Sequence, residues 1–99
     1  MARLLDDEER TRQLEGLPGW EGDAAALRRT VSAPDFPTAV RLVGAVAEVA
    51  EELDHHPDID IRWRTLTFVL STHSAGGVTQ NDVELAHRIA ELAARFDAT

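Results

Sequence analysis

The sequence has no cysteine, so disulfides and thiolate metal sites are excluded. It has no lysine either; all ten cations are arginines, against eighteen Asp and Glu, for a net charge of −8. Non-specific nucleic-acid binding needs clustered cations to neutralise phosphates, and this balance argues against it. The same balance argues against an anionic membrane surface. Tyrosine is absent, aromatics are 5%, and no run approaches the roughly 18 apolar residues of a membrane span. The start, Met1 to Glu9, turns acidic at once and has no apolar stretch of signal-peptide length. A cytoplasmic protein of a single domain, residues 1–99, is the expectation. Apolar residues at 43% and charged residues at 28% are globular composition. A chain of this length buries only about 60–65% of its unfolded surface, so subunit contacts would add stability.

The pattern alternates helical and extended segments. Asp6-Asp7-Glu8-Glu9 reads as the acidic first turn of a helix to about Leu14, stopped by Gly16-Leu17-Pro18-Gly19. Ala26 to Ala33 reads as a strand. Asp35 opens a longer helix in which Phe36, Val40, Val43, Ala47 and Ala50 recur at three and four. Leu42, Val46, Val49 and Leu53 widen that apolar face, and Pro57 ends the helix. Ile59, Ile61 and Trp63 alternate with Asp60, Arg62 and Arg64, and Leu66, Phe68 and Leu70 alternate with Thr65, Thr67 and Val69. The parity switches between Trp63 and Leu66, which requires a tight hairpin or a bulge. Thr79-Gln80-Asn81-Asp82 is a capping box with a shorter acid, and Leu85, Ile89, Leu92 and Phe96 carry the apolar face of a last helix. Consecutive short strands favour antiparallel pairing, so the expected fold is α+β, a two-layer sandwich with the helices on one face.

Four histidines are present, and three of them fall in a short window. His55 and His56 end the long helix before Pro57, and His73 follows a strand before a Gly-rich loop. Imidazoles transfer protons near neutrality, and two or three around one pocket can protonate a leaving group while removing a proton elsewhere. That is the chemistry of a dehydration. Glu51 lies one turn before His55 and is placed to orient an imidazole; Thr72 and Asp82 are candidate hydrogen-bond partners. On spacing alone, a polar helix end favoured by the C-terminal dipole is the simpler account of the His-His pair. A three-His metal site is a weaker alternative, since the spacing matches no familiar zinc pattern. His87, within the last helix, reads as solvated or structural rather than catalytic, and Trp20 and Trp63 read as core or interface anchors.

The run Glu51-Glu52-Leu53-Asp54-His55-His56-Pro57, then Trp63, Leu70-Ser71-Thr72-His73, Gly77-Val78-Thr79 and Asp82, resembles the signature of the pterin-4a-carbinolamine dehydratases. Trp20 and the Asp35-Phe36 start with Ala39 fit the same pattern. The resemblance implies a four-stranded antiparallel sheet with three helices on one face, in the order α-β-β-α-β-β-α, assembled as a homodimer or homotetramer. It implies a hydro-lyase that removes water from a 4a-hydroxytetrahydropterin, with neither metal nor cofactor. Carried over by position, His55, His56 and His73 are the catalytic imidazoles, with His55 and His73 as acid and base and His56 binding the substrate. Glu51, Asp54, Pro57, Trp63, Thr72 and Asp82 are the supporting or substrate-binding residues. Ile59 stands where many relatives have an aromatic, Glu52 where a lysine is usual, and Val31 and Ala33 where aromatics are common. A non-catalytic dimerisation module is the alternative, since animal members of the family also bind a transcription factor.

Overall fold

A computed structural model describes residues 2–99. Helix α1 spans Asp7–Glu15. It begins at a reciprocal capping box in which Asp6 accepts from the Glu9 N–H and Glu9 accepts from the Asp6 N–H. Arg3 reaches back to the same Glu9 carboxylate at 2.7 Å, which holds its pKa down at about 2. Two short strands follow, β1 (Glu21–Gly22) and β2 (Leu27–Ser32). Helix α2 (Phe36–Leu53) leads to a hairpin of β3 (Asp58–Arg62) and β4 (Thr65–Leu70). A 3-10 turn at His73–Ala75 precedes the last helix, α3 (Gln80–Arg95).

The sheet is antiparallel in the order β1-β2-β4-β3. Leu27, Val31, Leu66, Phe68 and Leu70 point from it toward the helices and are fully buried. Against them pack Ala39, Leu42 and Val46 of α2 and Val83, Ala86 and Ile89 of α3. The opposite sheet face is polar: the Thr30 and Thr67 hydroxyls meet at 3.0 Å, beside Arg28, Asp60 and Arg62. The expected α+β architecture with its helices on one face is therefore observed, and β1 is the one strand that the sequence pattern did not announce.

The parity switch between β3 and β4 is a tight hairpin. Arg62 pairs with Thr65, so only Trp63 and Arg64 form the loop. Trp63 takes a positive φ of 54°, which matches the right-handed strand twist but is uncommon for a bulky side chain. Trp63 is 72% exposed, and the Arg64 guanidinium lies over its ring, 5.1 Å from the centroid. The Arg64 carbonyl in turn accepts from the Ala33 N–H, and its guanidinium donates to the Ala33 carbonyl, just before α2 begins.

The apolar face of α2 is divided rather than continuous. Ala39, Leu42, Val46, Val49 and Ala50 are buried, whereas Phe36 and Val40 are each 48% exposed, and Gly44 and Ala47 are exposed beside them. The sequence pattern merges these two stripes because they adjoin on the helix surface. The chain is also too small to cover both.

Candidate active site

The last turn of α2 creates the site. Asp54 adopts the left-handed conformation (φ 50°, ψ 44°) and closes the helix, with its N–H bonded to Glu51 O and the His55 N–H bonded to Ala50 O. This is the Schellman arrangement, filled here by an aspartate rather than glycine. The chain reverses there, so His55 and His56 no longer follow helical spacing. Pro57 then commits the chain to the extended start of β3.

His55 turns inward. Its Nε2 lies 2.6 Å from Asp82 Oδ1, and Asp82 is completely buried at the start of α3. The other oxygen of Asp82 accepts from the Thr72 hydroxyl at 2.8 Å and the Thr79 N–H at 2.9 Å. The Thr72 and Thr79 hydroxyls also meet at 2.7 Å. Asp82 thus completes the capping box of α3 and joins three chain segments, all with their polar atoms paired. An ionised carboxylate only accepts hydrogen bonds, so Nε2 of His55 donates and Nδ1 is left as the nitrogen open to a ligand.

His56 turns outward and pairs through Nε2 with Glu51. The expected i,i+4 contact of Glu51 with His55 is replaced by this one, because the left-handed Asp54 rotates His55 away from the helix axis. His73 heads the 3-10 turn and is exposed, directly after Thr72 in the Asp82 network. Among the described residues, no hydrogen bond engages its ring.

The loop bearing His73 is held by backbone geometry. Thr72 and Gly77 pair across it, with the Thr72 N–H 2.9 Å from Gly77 O. Any side chain at Gly77 would meet the Ala24 carbonyl oxygen at 2.4 Å, so the loop needs glycine there to seat against that segment.

Of the sequence candidates, His55, Thr72 and Asp82 form one connected cluster. Glu51, Asp54, His56, Pro57 and His73 border it along the chain. Trp63 does not join them. It sits at the hairpin tip, by the start of α2, and the eighteen residues of that helix separate the tip from the histidines. Thr79 was legible only as a helix cap, and the structure adds it to the cluster through its hydroxyl and N–H. Its threonine-to-acid spacing of three was the available signal. No group of His and acidic residues arranged to hold a metal ion occurs among the described residues. No described helix is long and apolar enough to cross a membrane.

Comparison with known proteins matches residues 3–92 to the family described as pterin 4 alpha carbinolamine dehydratase. The chain belongs to that family. A putative pterin-4-alpha-carbinolamine dehydratase of Nocardia farcinica is 57% identical over 91% of this chain and 95% of its own. A crystal structure of a transcriptional coactivator/pterin dehydratase from Brucella melitensis superposes with a TM-score of 0.86. It is 33% identical, over 90% of this chain and 97% of that one. A pterin dehydratase-like protein, identified as a RuBisCO assembly factor in the alpha-carboxysome, has a TM-score of 0.62 at 20% identity. That match covers 75% of this chain and 86% of that one, and it shows a shared fold alone. Membership carries the name of a hydro-lyase family, and the resemblance first seen in the Glu51–Asp82 signature extends over nearly the whole chain.

Proposed function

We propose that the protein dehydrates a 4a-hydroxytetrahydropterin to the quinonoid dihydropterin, with His55, His56 and His73 as its proton-transfer groups. The observation that carries this reading is the His55–Asp82 pair at 2.6 Å, anchored in a buried carboxylate, with exposed His56 next to His55 in the chain and exposed His73 next to Thr72 of the same network. Family membership supports the substrate class.

The reaction breaks the C4a–O bond and forms a C4a–N5 double bond. Electrons from N5 expel the hydroxyl, an imidazolium delivers the proton that makes it water, and a neutral imidazole takes the N5 proton. The net change is one substrate giving one dihydropterin and one water, with no redox step. His55 suits the base, since its Nε2–H is committed to Asp82 and Nδ1 holds a free lone pair. His73 suits the acid, being exposed and unconstrained by a carboxylate at hydrogen-bond distance among the described residues. His56, paired with Glu51, binds and polarises the ring. Asp82, Thr72 and Asp54 position the imidazoles, and Pro57 sets the exit of the chain.

The test is direct. Purified protein is expected to accelerate water loss from synthetic 4a-hydroxytetrahydropterin, followed by absorbance. A rate no faster than buffer alone overturns the proposal.

A further inference from the structure

His55 and His73 are both referenced to one short stretch of chain, Gly77-Val78-Thr79. At one end, the Thr79 N–H and hydroxyl belong to the network of Asp82, which holds His55. At the other end, Gly77 exchanges two backbone bonds with Thr72, at 2.9 and 3.3 Å, and so closes the loop that carries His73. Val78 lies between them, buried and without a side-chain role in the site. Whatever fixes Val78 therefore fixes the end of the His73 loop against the anchor of His55.

Both backbone polar groups of Val78 bond to segments outside the site. Its N–H donates to Ala24 O at 3.1 Å, and its carbonyl accepts from the Leu5 N–H at 3.0 Å. The Ala24 brace is a turn that holds itself, since Asp23 Oδ1 accepts from the Ala25 and Ala26 N–H groups at 2.9 and 3.1 Å. The Leu5 brace belongs to an arm, residues 2–5, that precedes α1. Leu4 makes an isolated antiparallel bridge with Thr79, and a Cβ at Gly77 would lie 3.1 Å from Leu4 Cδ2. Glycine at 77 thus makes room for the arm as well as for Ala24. The arm also borders a cavity of about 420 Å³ shared with α1 and with Gln80 and Asn81 of α3. It is tied at a few points rather than packed along its length. Its outer tie is Arg3, which grips both oxygens of Glu9 at 2.9 and 2.7 Å. Leu4 is 47% exposed, and exposed ion pairs contribute little, so of the two braces the arm is the one that can let go without unfolding the core.

We propose that the N-terminal arm positions His73 for proton transfer, by holding Val78 and through it the Gly77 end of the His73 loop. Arg3, Leu4 and Leu5 are positioning residues; none of them touches the substrate. Release of the arm displaces His73 and leaves His55 in place, because Asp82 keeps its bonds to Thr72, Thr79 and His55 whether or not the arm is docked. The two imidazoles then lose their common spacing while each stays chemically intact. The hold stands on the backbone bonds alone, while its effect on turnover rests on the function proposed above.

Two variants test the hold, a deletion of residues 2–5 and the milder surface double variant Arg3→Ala, Leu4→Ser. Amide exchange at Gly76 and Gly77 is expected to quicken by about tenfold or more in both, with Phe68 and Ile89 of the core keeping their protection. Imidazole shifts of His73 should move, and those of His55 should not. Turnover should fall about tenfold in kcat, with KM within about twofold, since misplacing a catalytic group costs rate more than binding. Arg3→Lys, which keeps the ion pair, should restore wild-type values, and Arg12→Gln, on α1 beside the same cavity, should leave all of them unchanged. Unchanged exchange at Gly76 and Gly77 in the deletion overturns the proposal. So does a milder variant in which core and loop lose protection in equal proportion, or in which His55 shifts as far as His73. Exchange and imidazole shifts do not depend on turnover. A wild type without dehydratase activity whose His73 loop still loosens on deletion refutes the function and leaves the hold standing.

Discussion

Two imidazole–carboxylate pairs lie side by side, and they are built to different standards. His55 and Asp82 have side chains 12% and 0% exposed, inside a network that also fixes two threonines and a helix terminus. His56 and Glu51 have side chains 57% and 77% exposed and bond to each other outside that network. The first pair is framework as much as chemistry. The second is free to follow a ligand. Consecutive residues of one chain thus divide two tasks that a catalytic site needs, a fixed reference and an adaptable contact.

The contrast breaks most sharply at the framework. Asp82→Ala removes the acceptor for Thr72, the Thr79 N–H and His55 together, and is expected to cost about 3 kcal/mol, measured by urea unfolding. A loss below about 1 kcal/mol would show that the buried network contributes little. His55→Ala and His73→Ala are each expected to lower the dehydration rate by roughly 10²-fold or more. His55→Ala should also destabilise the fold, whereas His73→Ala should leave urea unfolding unchanged. Next comes Gly77→Ala, in which the collision with Ala24 O should cost roughly 1–3 kcal/mol and displace the His73 loop. Crystallography or amide shifts at His73 would check it.

Smaller effects belong to the exposed pair. Glu51→Gln should alter stability by no more than about 0.5 kcal/mol, because exposed ion pairs contribute little. An effect as large as that of Asp82→Ala would erase the distinction between the two pairs. The mildest expectation lies at the N-terminal clasp. Glu9 titrates at about 2 in the fold, below its ordinary 4.5, because Arg3 and the Asp6 N–H bond its charged form. Its contribution is present above pH 4.5 and is lost as pH falls toward 2. Carboxyl chemical shifts of Glu9 would follow that loss, and a midpoint near 4.5 would contradict it.

Much of this was legible in the residues. Helix starts were legible at Asp35 and Thr79, while Asp6, read as part of an acidic first turn, is the cap of α1; all three side chains accept a backbone N–H in the fold. The strand periodicity of Leu66, Phe68 and Leu70 placed the core face correctly. The family signature named His55, Thr72 and Asp82 together, and the fold joins them in one cluster. Pairing was not legible. Local spacing joined Glu51 to His55, but the left-handed turn at Asp54, a conformation that side-chain type alone does not dictate, sent His55 to Asp82. Trp63 lies apart from the cluster for a related reason. Its alternation with Ile59 and Ile61 continues one residue past the strand, into the hairpin tip. The two-residue strand β1 is too short to carry any period. The division of α2 into buried and exposed stripes needs the dimensions of the sheet beneath it, which no window of sequence contains.

The left-handed Asp54 has a consequence for how this site can change over time. It forms no part of the buried network, yet its backbone decides which carboxylate each histidine meets. Only glycine, asparagine and aspartate enter that conformation readily. Replacement by a β-branched residue would extend or redirect the helix end, and both histidines would move together while remaining chemically intact. The tolerance of this position to substitution is therefore narrower than its exposure suggests. A lineage can lose the site there without touching a single imidazole.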